Sequence, residues 1–312
     1  MRNIYFILFF ILPSAVFAQE FGQYCTTSLA EGNFNKTNCS IKSEFDGKEY
    51  CFGNKASQAI FVDDPKEVLK LANNFFSKST SSDRKKITQE DAMIALDDPD
   101  CDFSNMDAGY LNFKGKDLTH CIMVNTSFFG ADLRGANLSG ANLQRAYLNL
   151  ARLEDAKFNG ANLAGATIFQ PIFGNTSFRS ANLANARVIG TLGKVDMSSA
   201  VITEGRFGLD VGNQPMGQMK FDSSGGNFAK SNFQGADLNI ASFIFGNLRE
   251  ANLRDTNLYR AELIQGDLTG ADLTGADLTD ADVDGANFKD VKGLKTVKGF
   301  DTVKGKCKNC GM

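Results

Sequence analysis

A five-residue period dominates this chain. From residue 131 it reads ADLRG ANLSG ANLQR AYLNL ARLED AKFNG ANLAG, and from residue 266 GDLTG ADLTG ADLTD ADVDG ANFKD. A small residue, then Asp or Asn, then Leu or Phe recurs at every fifth position. Eighteen such units run without a slip from the centre Phe103 to the centre Val188, with Ala108 at one looser centre. One residue is then lost. Four more units centre on Leu192, Met197, Ile202 and Phe207. The pattern fails through DVGNQPMGQ (210–218), where Phe221 is at most a stray centre, and thirteen units resume from Phe228 to Phe288. Period five suits neither a helix at 3.6 nor a strand at 2. It can be met if each unit is one short straight edge and one bend. The Leu or Phe and the small residue two before it then point inward, and the other three positions face water. A buried Leu or Phe contributes about 1.5–3 kcal/mol. One unit cannot bury its centre alone, so stability has to come from stacked neighbours.

The ADLTG ADLTG run resembles the pentapeptide repeat family, A-(D/N)-L-x-x, over residues 101–290. The resemblance implies an all-β solenoid, a right-handed quadrilateral β-helix with four units per coil. Residues twenty apart would then lie one above another. Leu133, Leu138, Leu143, Leu153, Phe173, Leu273 and Leu278 are expected core centres, with Leu133, Leu153 and Phe173 on one side. Asn227, Asn247, Asp267 and Asn287 would form an outer ladder, and Glu262 and Asp282 would be adjacent like charges. Cys101 and Cys121 would share an inward column with Cα atoms about 4.8 Å apart, within disulfide range; they are either bonded or two small buried fillers. The departure at 210–225 is expected to be an interrupting loop or a kink between a first helix part, 101–209, and a second, 226–290. Its residues Asp210, Asn213, Gln214, Pro215 and Met216 form a candidate contact loop, because loops that break a rigid scaffold often carry function.

A solenoid end exposes strand-edge groups and needs a cap. Thr88-Gln89-Glu90-Asp91 opens the apolar segment AMIAL in capping-box manner, and 88–100 is assigned as the N-terminal cap helix. At the other end VKGLKT, VKGFDT and VKGKCK place Val291, Leu294, Val297, Phe300 and Val303 three apart, so 291–312 reads as a basic cap laid over the final coil. Its excess of Lys faces the acidic 226–290. Cys307 and Cys310 form a C-x-x-C without the strand-then-helix setting of a thioredoxin-like motif, and read as a loop disulfide or a mobile thiol pair.

The first eighteen residues read as a secretory signal. Arg2 precedes the apolar run IYFILFFIL, Pro13 breaks it, and Val16-Phe17-Ala18 is a small-x-small site with cleavage expected after Ala18. The expected location is periplasmic or secreted, with no transmembrane segment after cleavage. Residues 19–87 are not repetitive and read as a small α+β domain. It holds a hairpin around Asp46-Gly47, a helix capped by Asp64 with Pro65 first, and a polar linker at 79–86. Segment 47–72 resembles the YHS domain, a metal-handling module, but that family's cysteines fall on Gly53 and Ser57, so metal binding does not carry over. In an oxidising compartment Cys39 and Cys51 can bridge, and Cys25 could pair with either.

Net charge is only −3, which points to neither nucleic acid nor a membrane surface. The sole histidine, His120, falls on an outward or corner position, and no phosphate loop or nucleophile motif is present. Asp267, Asp272 and Asp277 fall on successive sides and do not converge. The chain is therefore expected to be no enzyme, with no catalytic, cofactor or metal set and no small-molecule substrate. The leading expectation is an exported scaffold for an unknown protein partner. One alternative is a DNA-mimicking, topoisomerase (gyrase)-binding rod, as in some pentapeptide-repeat relatives. Another is a redox- or metal-linked protein acting through the YHS-like head and the C-x-x-C tail.

Overall fold

The computed structural model describes residues 25–30, 40–46, 48–80, 84–209 and 220–311. The signal segment 1–18, Cys39 and the candidate contact loop from Asp210 to Met216 lie outside these residues. The chain divides into two compact units, Met1–Thr80 and Ser81–Met312.

The first unit holds α1 (Thr26–Ala30), β1 (Ile41–Phe45), β2 (Lys48–Phe52), α2 (Lys55–Asp63) and α3 (Pro65–Thr80). β1 and β2 pair antiparallel, with Phe45 opposite Lys48. Asp46 takes the left-handed conformation (φ 51°) that a tight hairpin asks of Asp, Asn or Gly. The Asp64 carboxylate accepts from the Glu67 N–H at 3.1 Å and starts α3, with Pro65 in the first turn. The sequence reading did not assign α2. Its start signal is Asn54, whose side chain accepts from the Ser57 N–H at 2.9 Å. Phe61 on α2 is the hub of the core, with its ring 5.2 Å from Tyr50, 5.1 Å from Phe52 and 6.2 Å edge-on to Phe45.

The second unit is a parallel solenoid. In the unit Ala131-Asp132-Leu133-Arg134-Gly135, Ala131 and Leu133 are fully buried. The Leu133 N–H donates to Arg152 in the next coil at 2.9 Å, and the Asp132 N–H donates to Leu111 in the previous one at 2.9 Å. Gly135 (φ 63°) makes the bend. The Asp132 carboxylate accepts from the Arg134 N–H at 3.2 Å, and the same Asx contact recurs from Asp102 to Asn287. Asp and Asn recur for this reason as well as for solvation: their oxygens cap a bend N–H that no strand partner reaches.

Parallel bridges fix the stacking. Asp102, Ile122, Asn142, Asn162 and Asn182 form one column at steps of twenty, and three further columns run beside it. The next step, Asn182 to Val201, is nineteen; the one after, Val201 to Asn232, is thirty-one; and twenty then returns. The solenoid is thus continuous on either side of residues 210–219, and the Gly208 and Leu209 N–H groups still donate to Asp237 and Asn239 in the next coil. Phe221 is a true core residue, and β7 (Phe221–Asp222) pairs parallel with β6 (Arg187–Thr191), which also pairs with β5 (Thr167–Phe169). The nineteen-residue coil has a local cost. Ile172 bridges Arg152 but no residue of the following coil, and its outward side chain is exposed. Phe173, expected at a core centre, is only partly buried, whereas Leu133, Leu138, Leu143, Leu153, Leu273 and Leu278 are fully buried.

The ends differ from expectation in detail. At the front, 84–86 is part of the second unit and not linker: β3 (Lys85–Lys86) pairs parallel with β4 (Met106–Asp107). Helix α4 (Gln89–Leu96) follows, with the Thr88 hydroxyl accepting from the Asp91 N–H at 3.1 Å. Ala92 packs into the core, and the Gln89 amide both donates to the Asn112 carbonyl (3.0 Å) and accepts from its N–H (2.7 Å). One side chain thus copies the bridge that a preceding coil would have made. At the back, the VKG units form a further coil, not a separate cap. Lys292, Lys298, Lys304 and Lys308 bridge Asp272, Asp277, Asp282 and Asn287 at steps of twenty to twenty-two. Each six-residue side fits the extra residue into a short 3-10 turn, Leu294–Thr296 and Phe300–Thr302.

Candidate functional site

The corner that follows β4 runs through Tyr110, Phe129, Leu150 and Phe169. The Tyr110 N–H donates to Phe129, the Gly130 N–H to Asn149, and the Leu150 N–H to Phe169, each at 2.9 Å, so the corner is continuous across four coils. Tyr110 is 77% exposed, Leu150 44% and Phe129 37%. The Tyr110 and Phe129 rings meet edge-to-face at 5.5 Å. Cations flank the strip. Arg84 lies 4.2 Å over the Tyr147 ring, held by bonds to the Asn125 backbone carbonyl (2.8 Å) and side-chain oxygen (2.9 Å), and Arg187 lies 5.6 Å from the Phe169 ring. A recess of about 430 Å³ opens here, lined by Arg84, Lys86, Ile87, Tyr110, Phe129 and Tyr147. Large aromatics held on a rigid scaffold beside guanidinium groups suit protein contact, since they bury area with little loss of side-chain freedom.

Sequence reasoning followed the repeat centres and missed this strip. The available signal was at the bend positions, read at a spacing of twenty: Gly109-Tyr110, Phe129-Gly130, Asn149-Leu150 and Phe169-Gln170 put large apolar residues where most units carry polar ones.

Cys101 and Cys121 form a disulfide with Cα atoms 4.6 Å apart, and Cys307 and Cys310 form another. Cys51 is disulfide-bonded, while Cys25 is a buried free thiol. Burial works to raise the Cys25 pKa, but hydrogen bonds from Ser28, the Gly53 backbone and Ser57 outweigh it and leave the thiol below its ordinary value. The outer ladder is present: Asn247 donates to Asn227 at 3.0 Å and Asn287 to Asp267 at 3.2 Å. Glu262 and Asp282 are neighbours, and Lys220 reaches Glu262 at 2.6 Å, relieving the like-charge contact. Asp267, Asp272 and Asp277 stand on separate columns, paired with Arg249 (3.0 Å), Arg254 (3.3 Å) and Lys298 (2.7 Å). Asp272 is held below its ordinary pKa, first by the Thr274 hydroxyl, with the Thr274 N–H and Arg254 adding to it against burial. His120 stands at an exposed corner with Nε2 4.0 Å from Cys121 Sγ. No metal set was expected from the sequence, but the ligand atoms of Cys101, His120 and Cys121 lie within 4.8 Å of one another. Stacking sets Cys101 over the sequence neighbours His120 and Cys121.

A family model described as pentapeptide repeats, in eight copies, matches residues 100–135, 136–170, 224–255 and 256–292. The YHS-like segment 47–72 falls outside these matches. Among solved structures, HetL, a pentapeptide repeat protein involved in heterocyst differentiation regulation from Nostoc sp. strain PCC 7120, is 22% identical, covering 66% of this chain and 86% of its own, with a TM-score of 0.32. QnrB1, a plasmid-mediated fluoroquinolone resistance protein, is 18% identical, covering 65% and 87%, with a TM-score of 0.32. A pentapeptide repeat protein of the Arabidopsis thaliana thylakoid lumen is 40% identical, covering 28% and 53%, with a TM-score of 0.16. No curated protein matches the chain.

Proposed function

Because the chain belongs to the pentapeptide-repeat family through residues 100–170 and 224–292, we propose that it is an exported, non-enzymatic scaffold that binds a protein partner along the Tyr110–Phe129–Leu150 corner. The carrying observation is that exposed, edge-to-face aromatic strip on a backbone bonded coil to coil. In this reading the coil is four-sided and right-handed, the sense taken by about 98% of parallel strand-to-strand connections. The signal-like segment 1–18 makes the partner extracytoplasmic, and the intact mass of the mature protein is expected to begin at Gln19; an uncleaved chain confined to the cytosol would refute export.

The binding test compares a Tyr110→Ser/Phe129→Ser variant with Phe245→Ser, whose aromatic ring is 66% exposed on a different corner. In crosslinking and pull-down from the extracytoplasmic fraction, the double variant should weaken partner recovery by about 30-fold, the size of one aromatic hot spot of about 2 kcal/mol. Phe245→Ser should leave it unchanged. Equal recovery by both variants, with unchanged thermal unfolding, removes the corner from the interface. The topoisomerase-binding alternative draws less support, because Arg249, Arg254 and Lys298 already pair the acidic columns on which a phosphate mimic would depend.

A further inference from the structure

The inward column that begins with Cys101 and Cys121 continues through Ala141, Ala161, Ala181, Ala200, Ser231, Ala251 and Ala271, all buried. Cysteine stands in place of the small filler only in the first two coils, and the chain's only histidine precedes the second of them. Both cysteines are 2% exposed, while His120 is exposed, so the cluster can be approached only from the histidine side.

We propose that Cys101, Cys121 and His120 form a metal site that their disulfide keeps closed, and that the reduced protein holds one thiophilic d10 cation there, zinc(II) or copper(I), between two thiolates and an imidazole. Thiolate and imidazole donors select such ions, and zinc commonly takes three protein ligands plus an outside one. With metal–sulfur and metal–nitrogen bonds of about 2.3 and 2.0 Å, tetrahedral ligands lie about 3.5 Å apart for S···N and about 3.8 Å for S···S. The Sγ–Nε2 distance of 4.0 Å already lies near the first value. The sulfurs, now bonded to each other, have to separate. Side-chain rotation can supply that movement while the backbone stays fixed, because the Ile122 N–H donates to Cys101 at 2.9 Å and the Phe103 N–H to Ile122 at 2.8 Å. Opening needs a two-electron reductant. With a water-soluble phosphine, the disulfide and one water yield two thiols and the phosphine oxide. Zinc(II) then displaces two thiol protons as the two metal–sulfur bonds form.

The test uses the full chain with Cys25→Ser, Cys39→Ser, Cys51→Ser, Cys307→Ser and Cys310→Ser together, so that Cys101 and Cys121 are its only cysteines. Before reduction, zinc titrated against a chromophoric chelator should find no site that depends on His120. After phosphine reduction, with the circular dichroism spectrum retained, one zinc should bind per chain. Cobalt(II) in its place should show the visible bands of a tetrahedral site and a thiolate charge-transfer band. His120→Gln and, separately, Cys101→Ser should each weaken zinc binding by about tenfold or more. His120→Gln should shift the cobalt visible bands and leave the charge-transfer band in place. Affinities within about twofold of the parent in both variants, or loss of the folded spectrum on reduction, overturn the proposal.

Discussion

Leu148 and Leu150 differ by two positions and by nothing in residue type, yet the solenoid treats them oppositely. Both donate backbone hydrogen bonds to the next coil, Leu148 to Thr167 and Leu150 to Phe169, each at 2.9 Å. Neither bond is lost on truncation to Ala. The side chains differ: Leu148 is fully buried among repeat centres, and Leu150 is 44% exposed at a bend. Leu148→Ala removes buried carbons worth about 2–3 kcal/mol of transfer and leaves a cavity with coils above and below that cannot collapse, so a loss of about 3 kcal/mol is expected. Leu150→Ala removes a side chain already half in water and keeps the same left-handed backbone (φ 57°), so the loss should stay under about 1 kcal/mol. For a unit spanning Ser81–Met312, about 3 kcal/mol corresponds to a fall in Tm of roughly 6–12 °C. Thermal and urea unfolding followed by circular dichroism measure both variants. A Leu150→Ala loss equal to that of Leu148→Ala would refute the inward assignment of repeat centres, as would a Leu148→Ala loss below about 1 kcal/mol.

Asp272 has a folded pKa below its ordinary 3.8, so its charged form is favoured by folding; its contribution is present above that value and is lost as pH falls through the lower, folded one. The Tm gap between the parent and Asp272→Asn should therefore be open at neutral pH and close in strong acid, and a gap independent of pH would contradict the Thr274 and Arg254 contacts. Gly293→Ala should loosen the last coil, since Gly293 has φ 79° and a Cβ there would sit 2.4 Å from the Thr274 backbone nitrogen. Limited proteolysis should cut at Lys295 and Lys298 faster in this variant than in Gly135→Ala, where the added Cβ meets nothing within 4 Å; equal rates would refute it.

The sequence by itself determined the repeat and the burial of most of its centres, while the twenty-residue stacking followed from its resemblance to pentapeptide repeats. A fixed period makes every unit solve the same burial problem, so local pattern and tertiary contact coincide. Leu133 and Leu273 could be placed inside from text alone; setting Cys101 over Cys121 needed the four-unit coil that the resemblance implies. Only the tertiary structure decided what happens where the period slips. The missing residue after Val188 accompanies a partly uncovered Phe173, beside which Ile172 bridges no residue of the following coil. The extra residues before Lys220 leave the stack intact, because Phe221 fills the core and β7 pairs with β6. Gln89 imitates a strand, and the VKG tail becomes one more coil, because unsatisfied edge groups accept whatever geometry supplies a donor and an acceptor. The aromatic corner and the Cys101–Cys121–His120 cluster join residues about twenty positions apart. The coil length makes Tyr110 and Phe129 neighbours and sets Cys101 over the adjacent pair His120-Cys121.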